Sequence, residues 1–107
     1  MIQIVIPFYN VEESILRTIN SLLNQSEKEF KCAWINDAST DKSMDILMPY
    51  IKSESRFELI QNNVNKGGAI ENIVAGFNFL NPSNEDICMI IDGDDWLLKN
   101  NALEKIV

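Results

Sequence analysis

The stretch IQIVIPFYN, residues 2–10, decides the class of fold. Its first seven residues are mainly apolar and rich in β-branched side chains, which is typical of a strand buried on both faces of a sheet. Beyond its polar end, apolar residues recur at helical spacing from Ile15 to Leu23. This pattern predicts a helix over residues 12–24 with Asn10 as its N-cap. A buried strand that leads directly into an amphipathic helix is the building unit of parallel α/β folds.

The same unit recurs along the chain. Apolar segments at residues 30–37, 56–62 and 86–92 predict three further strands, and apolar stripes between them predict two more helices. Pro49 is expected to shorten or kink the first of these, and the last residues resemble the start of another helix. Alternating strands and helices favour parallel pairing with right-handed crossovers. We therefore expect one domain over residues 1–107, an α/β fold with a Rossmann-like, open, mainly parallel sheet and helices on both faces.

Composition excludes several classes of function. The chain has 107 residues, a formal net charge of −7 and no histidine. The acidic balance argues against a nucleic-acid partner, and the missing imidazole excludes histidine-ligated metals and histidine-activated nucleophiles. Cys32 and Cys88 are predicted to be buried free thiols, which favours a reducing compartment. With no signal peptide and no apolar run of the roughly 20 residues that a membrane span needs, we expect a cytoplasmic domain.

Polar residues follow each predicted strand. In parallel α/β sheets, ligands bind beyond the carboxyl ends of the strands. Those ends lie at residues 7–10, 36–39, 62–66 and 92–95. Because the carboxyl ends of parallel strands meet at one edge of the sheet, these four segments are expected to form a single site.

The last of these segments lies in the stretch MIIDGDDWL, residues 89–97, where an apolar strand runs into Asp92, Asp94 and Asp95. Carboxylates this close repel one another unless a cation lies between them. Hard divalent ions such as Mn²⁺ or Mg²⁺ prefer oxygen ligands, and Gly93 allows the backbone to turn sharply beside a ligand. The sequence therefore predicts a divalent-metal site. The alternative is a solvated turn that caps a following helix.

Five motifs carry a resemblance, in this order along the chain: IPFYN, SLLNQS, INDASTD, NKGGAIEN and IDGDDWL. Together they resemble the nucleotide-sugar-binding, N-terminal half of a family 2 glycosyltransferase with the GT-A fold, and the resemblance covers essentially the whole chain. It implies a glycosyltransferase of the hexosyltransferase type that binds a nucleoside diphosphate sugar, usually a UDP-sugar, and uses Mn²⁺ or Mg²⁺. It also implies transfer to a hydroxyl of a glycan or lipid-linked acceptor, as in polysaccharide biosynthesis.

The resemblance implies roles at the base end of the donor. Pro7 and Tyr9 match residues that frame the base, and Asp37 matches the acid that accepts a hydrogen bond from uracil. Lys66 lies where the family often has a basic residue near the nucleotide. From the residues alone, Asp37 is also a candidate cap for the following helix, and Tyr9 is equally a candidate packing residue.

At the diphosphate end, Asp92 and Asp94 match the DxD signature of the family. The resemblance implies that these residues, with Gly93 between them, contact the ribose and a metal-bridged diphosphate. Asp94 is expected to be the principal metal ligand, and Asp95 is close enough to share or replace it. The family takes its catalytic base from a segment beyond this strand. No residue here is assigned that role, and the fold is expected to be truncated.

Two alternatives remain open. One is a non-catalytic nucleotide-sugar-binding or interaction module of the same fold. The other is a Mg²⁺-dependent phosphoryl-transfer enzyme of the haloacid-dehalogenase kind, in which the first aspartate normally lies on the opening strand rather than the fourth. An uncovered sheet edge also predicts self-association, and the resemblance is compatible with a position at the inner face of a membrane.

Overall fold

The computed structural model describes residues 1–67 and 69–107, and these residues form four strands and three helices. The strands are β1 (Ile2–Phe8), β2 (Phe30–Asn36), β3 (Phe57–Gln61) and β4 (Ile87–Ile90). The helices are α1 (Ile15–Leu23), α2 (Ser43–Ser53) and α3 (Ala69–Leu80). All four strands pair in parallel, in the order β3-β2-β1-β4. The prediction of a Rossmann-like, parallel α/β fold is confirmed.

Helices cover both faces of the sheet. Side chains at alternate positions of β1 and β2, including Ile4 and Trp34, form one core with the apolar residues of α1 and α2. On the opposite face, α3 lies so close that a Cβ on Gly76 would stand 2.7 Å from Val5 Cγ1 and 2.8 Å from Ile35 Cδ1. β1 and β2 are therefore almost entirely buried, as their continuous apolar runs predict.

The position of β4 at the edge of the sheet overturns one prediction. Cys32 is buried as expected, but Cys88 is exposed. Cys88 and Ile90 pair with residues of β1 that face α3, and α3 packs mainly over β1 and β2, so this part of the sheet stays open. Within the described residues the outer edge of β4 has no partner strand. Self-association through this edge remains a prediction.

Helix α1 begins later than predicted, at Ile15 rather than at residue 12. Asn10 does not cap it. Asn10 has a positive φ of 50°, and its side-chain oxygen accepts a hydrogen bond from the backbone N–H of Thr40 at 2.8 Å. This residue therefore joins the loop after β1 to the loop before α2, a long-range contact that the local sequence pattern does not reveal.

Two other helix predictions differ from the structure. Helix α2 continues past Pro49 to Ser53, so the proline does not shorten it. Pro49 is exposed, where water can replace the hydrogen bond that proline removes. The last predicted helix does not form, since residues 101–106 adopt turns around the buried Leu103. Among the described residues, none of the helices has the length and apolar character needed to cross a lipid bilayer.

Candidate functional site

The carboxyl ends of the strands open into a cleft of about 300 Å³. Four of the predicted site residues line it together: Pro7, Tyr9, Asp37 and Asp92. The other described residues that line it are Phe8, Asn65, Gly67 and Asn72. The parallel sheet thus brings together side chains that lie far apart in the sequence.

Asp37 follows β2 and is held in place by neighbouring segments. Only 7% of it is exposed, and its backbone N–H donates to the carbonyl oxygen of Phe8 at 3.0 Å. Its Oδ1 accepts hydrogen bonds from the backbone N–H of Lys66 at 2.9 Å and from Nδ2 of Asn62 at 3.0 Å. Asn62 Nδ2 also donates to Oδ1 of Asn72 at 2.8 Å. The carboxylate therefore has a defined orientation at the wall of the cleft.

These contacts keep Asp37 ionised. Burial acts to raise the pKa of the Asp37 carboxyl, but hydrogen bonds from the Lys66 and Gly67 backbone and from the Asn62 and Asn72 side chains outweigh burial, so the pKa is lowered. An ionised carboxylate accepts hydrogen bonds and cannot donate them. Asp37 is therefore suited to a ligand group that donates.

The structure does not support the alternative roles, in which Asp37 caps the following helix and Tyr9 is a packing residue. The side chain that accepts a backbone hydrogen bond at the start of α2 is Asp41, whose Oδ1 lies 2.9 Å from the Ser43 nitrogen. Asp37 instead directs its carboxylate to the loop after β3. Tyr9 is 45% exposed, so its ring is available at the cleft rather than packed in the core.

The pH dependence of stability tests whether the hydrogen bonds to Asp37 lower the pKa of its carboxyl. Because the pKa of folded Asp37 is below the ordinary value of about 3.9, the carboxylate stabilises the fold above that pH, and its contribution is lost as the pH falls through the folded pKa. We expect the urea midpoint of the wild type to fall between about pH 5 and pH 3 more steeply than that of Asp37→Asn. Glu104→Gln, at an exposed position, should keep the wild-type slope. Equal slopes for wild type and Asp37→Asn would contradict the argument.

The acidic turn, from Asp92 to Asp95, follows β4 at the same edge of the sheet. Asp92, Asp94 and Asp95 each place a carboxylate oxygen within 4.8 Å of the other two. The N–H of Asp95 donates to the carbonyl oxygen of Asp92 at 2.9 Å, and the N–H of Gly93 donates to that of Pro7 at 3.0 Å. No helix begins after this turn in the described part of the chain, so the helix-cap alternative is not met.

The acidic turn has the donor set that a hard divalent cation requires. Its three aspartates are exposed, so a cation reaches them without opening the core. Oxygens on opposite sides of a Mg²⁺ ion are about 4.2 Å apart. The carboxylate oxygens of the acidic turn all lie within 4.8 Å of one another, and rotation of these exposed side chains can bring them around one ion. Asp92 lines the first cleft, whereas Asp94 lines a second cleft of about 620 Å³, and Tyr9 lines both. The residues fit Mn²⁺ or Mg²⁺.

Two predicted site residues contribute through their backbone. Gly93 lies within the acidic turn, and it is buried against Phe8. Lys66 has an exposed side chain that is not among the residues lining the cleft, and its backbone N–H bonds Asp37. The role of Lys66 as a basic group near a nucleotide remains a prediction.

Three asparagines to which the sequence interpretation gave no role bond Asp37 or line its cleft: Asn62, Asn65 and Asn72. Asn72 is only 4% exposed. Asn65 Oδ1 accepts a hydrogen bond from the N–H of Gly67 at 2.6 Å, which shapes the loop that carries Lys66. The available signal was the polar run NNVN directly after β3.

The fold belongs to the GT-A class, as its likeness to solved structures shows. The structure of TarS from S. aureus in complex with UDP is similar to this chain with a TM-score of 0.85 and 25% identity, over 99% of this chain and 31% of that one. A mannosyltransferase from Pyrobaculum calidifontis, in complex with GDP-Man and Mn²⁺, shares the fold with a TM-score of 0.75 and 18% identity, over 95% of this chain and 30% of that one.

The chain belongs to glycosyltransferase family 2, since the model described as "Glycosyl transferase family 2" matches residues 3–107. A Haemophilus influenzae protein described as an uncharacterized glycosyltransferase is 33% identical over 105 residues, 98% of this chain and 40% of that protein. The chain spans less than half the length of the curated relatives that it matches. The predicted family is confirmed, and the phosphoryl-transfer alternative is left without support.

Proposed function

We propose that this chain binds the donor of a UDP-sugar-dependent glycosyltransferase, with the base at Asp37 and the diphosphate at the acidic turn. The observation that carries the proposal is one cleft lined by both Asp37 and Asp92. Further support comes from TarS, whose structures contain UDP and UDP-GlcNAc, and from the mannosyltransferase, whose structure contains GDP-Man and Mn²⁺.

At the base end, Asp37 acts as a fixed hydrogen-bond acceptor. Uracil presents a ring N–H to such a group, whereas cytosine presents a lone pair at the equivalent position and is repelled. Because Asn62 and the Lys66 amide occupy Oδ1, Oδ2 is the oxygen proposed to meet the base. Pro7 and the exposed ring of Tyr9 line the same cleft and frame the base by stacking and packing.

At the diphosphate end, the chain contributes three carboxylates from one turn. Asp92 faces the cleft that receives the base, and Asp94 faces the neighbouring cleft, so the pair brackets the position proposed for the diphosphate. Asp94 is the proposed principal ligand, and Asp95 completes the set. When bound, Mn²⁺ or Mg²⁺ supplies a Lewis acid that stabilises negative charge on the departing diphosphate.

The acceptor is proposed to be a hydroxyl group of a glycan or of a lipid-linked glycan, as the resemblance implies. Its deprotonation requires a general base, and the carboxylates of this site are already committed to the base and the cation. The non-catalytic alternative shares this donor cleft. Mn²⁺-dependent consumption of UDP-GlcNAc in the presence of acceptor glycans, by this chain or by a C-terminally extended one, would favour the enzyme. Donor binding without consumption in the extended chain would favour the module.

Calorimetry with UDP, GDP and CDP, each with and without Mn²⁺, tests the proposed donor. We expect the wild type to prefer UDP, and we expect Asp37→Ala to lower UDP affinity about tenfold and to blur the choice of base, because a hydrogen bond to a charged group contributes about 1.5–3 kcal/mol. Asp41→Ala, a carboxylate at the start of α2, is the matched control and should keep the preference for UDP. Equal affinity of the wild type for all three nucleotides would count against Asp37 as the base reader.

A further inference from the structure

A row of polar side chains runs along one side of α1 and just beyond its end. We call Thr18, Ser21 and Gln25 the polar seam; they follow one another at spacings of three and four residues, which places them on one side of a helix. Thr18 and Gln25 are fully buried, and Ser21 is half-buried. Ser21 and Gln25 belong to the motif SLLNQS, which donor binding does not explain.

The polar seam contacts the segment that contains the acidic turn. Thr18 Oγ1 lies 3.0 Å from the carbonyl oxygen of Gly93 and also contacts the carbonyl oxygen of Asp95. The next residue of the polar seam, Ser21, contacts the segment just after the acidic turn: its Oγ accepts a hydrogen bond from the N–H of Leu97 at 3.1 Å. The turn is thus bonded from the core side through its backbone, while its carboxylates are exposed.

Gln25 extends the same row of contacts. Its Nε2 donates to the carbonyl oxygen of Lys99 at 2.8 Å, and its Oε1 accepts from the N–H of Leu103 at 3.0 Å. Both ends of the buried amide are therefore paired, which avoids the cost of an unsatisfied polar group. Since residues 93–103 form neither strand nor helix, their backbone groups need partners outside regular structure, and the polar seam supplies them.

We propose that Thr18 is a positioning residue for the cation site. It acts through the carbonyl groups of Gly93 and Asp95, and it thereby sets where the carboxylates of the acidic turn stand. The three carboxylates of the turn lie within 4.8 Å of one another and repel, and the contact of the Thr18 hydroxyl with the Gly93 carbonyl holds the backbone beneath them from the core side. This inference rests on the proposed function, because it requires the acidic turn to bind a divalent cation.

Thr18→Val tests the proposal, because valine keeps the shape of threonine and removes the hydroxyl. Binding is measured on the full chain in two ways: free Mn²⁺ is followed by electron paramagnetic resonance in the presence of UDP, and uridine affinity is measured by calorimetry without metal. We expect Thr18→Val to weaken Mn²⁺ binding in the presence of UDP about tenfold, the size of effect known for groups that orient metal ligands. Uridine, which lacks the diphosphate, should bind as in the wild type.

Thr18→Ser restores the hydroxyl and should restore most of the Mn²⁺ affinity. Ile19→Val is the matched control, because Ile19 is a fully buried neighbour on α1 whose truncation costs stability without removing a polar contact. Should Thr18→Val not fold, Ser21→Ala removes the bond to Leu97 and is expected to weaken Mn²⁺ binding relative to Ile19→Val.

The outcomes separate this inference from the proposed function. The positioning role alone is overturned if Thr18→Val binds UDP with the same dependence on Mn²⁺ as Ile19→Val. If Thr18→Val does not fold and Ser21→Ala takes its place, the same result for Ser21→Ala overturns that role. Equal losses of Mn²⁺ and uridine binding in Thr18→Val also overturn it, since they indicate general damage to the fold. A wild-type chain whose UDP affinity does not respond to Mn²⁺ overturns the proposed function and this inference with it.

Discussion

Asp94→Ala is expected to abolish the effect of Mn²⁺ on UDP binding and to leave uridine binding unchanged. Asp94 is exposed, belongs to the cluster of three carboxylates and lines the cleft beside Tyr9. Asp94 is the proposed principal ligand, so its removal takes from the site the carboxylate that is proposed to hold the divalent ion most strongly. A loss of about 100-fold in Mn²⁺ affinity is expected, at the upper end of the effects known for groups that only support a metal site.

The measurement compares UDP binding with and without Mn²⁺ by calorimetry. Asp45→Ala is the charge-matched control, because it removes an exposed carboxylate on α2, outside the acidic turn. Asp95→Ala should produce a smaller loss, since Asp95 is the proposed secondary ligand. If Asp94→Ala and Asp45→Ala respond to Mn²⁺ as the wild type does, the acidic turn is not the cation site.

Gly93→Ala is expected to destabilise the fold by about 3 kcal/mol and to disrupt the acidic turn. A Cβ at Gly93 would lie 2.4 Å from Cβ of Phe8, 3.2 Å from Cα of Phe8 and 3.3 Å from the carbonyl oxygen of Pro7. These atoms belong to or adjoin the backbone of β1, which pairs with β2 on one side and β4 on the other. Because β1 cannot yield without breaking the sheet, the turn must move away from it.

Urea unfolding of Gly93→Ala measures this effect. Gly67→Ala separates the clash from backbone strain. Gly67 has a φ of 61°, but among the described residues other than its chain neighbours, the nearest atom to an added Cβ is Asn65 Oδ1 at 3.8 Å. That control is expected to cost about 1 kcal/mol through strain at positive φ. Comparable losses in the two variants would mean that the contact between the turn and β1 is not tight.

The sequence was sufficient for the parallel α/β architecture, and it predicted that Pro7, Tyr9, Asp37 and Asp92 would lie together, as they do in one cleft. The apolar runs of β1 and β2 predict strands buried on both faces, and in the structure these two strands lie in the centre of the sheet. The prediction that Cys88 is buried is wrong, because an apolar run does not show whether a strand lies in the centre or at the edge of the sheet. Its strand is as apolar as the others, and the local pattern does not reveal that α3 leaves β4 uncovered on one side.

Contacts between distant segments account for the parts of the site that the sequence interpretation missed. Asn62 and Asn72 were not assigned, although together they orient Asp37. Thr18 resembles any polar residue in a helical pattern, yet its hydroxyl bonds the acidic turn. Asn10 was interpreted as a local cap and instead bonds the loop before α2.

The sequence by itself determined the alternation of strands and helices, the family, and the placement of polar residues after each strand. Hydrophobic periodicity is a local property that depends on residues close together in the sequence. Only the tertiary structure decided which polar groups share a hydrogen bond, as Asp37 does with Lys66 and Thr18 with Gly93. Such bonds join segments far apart in the chain and depend on how helices and strands pack, so they leave no periodic trace in the sequence.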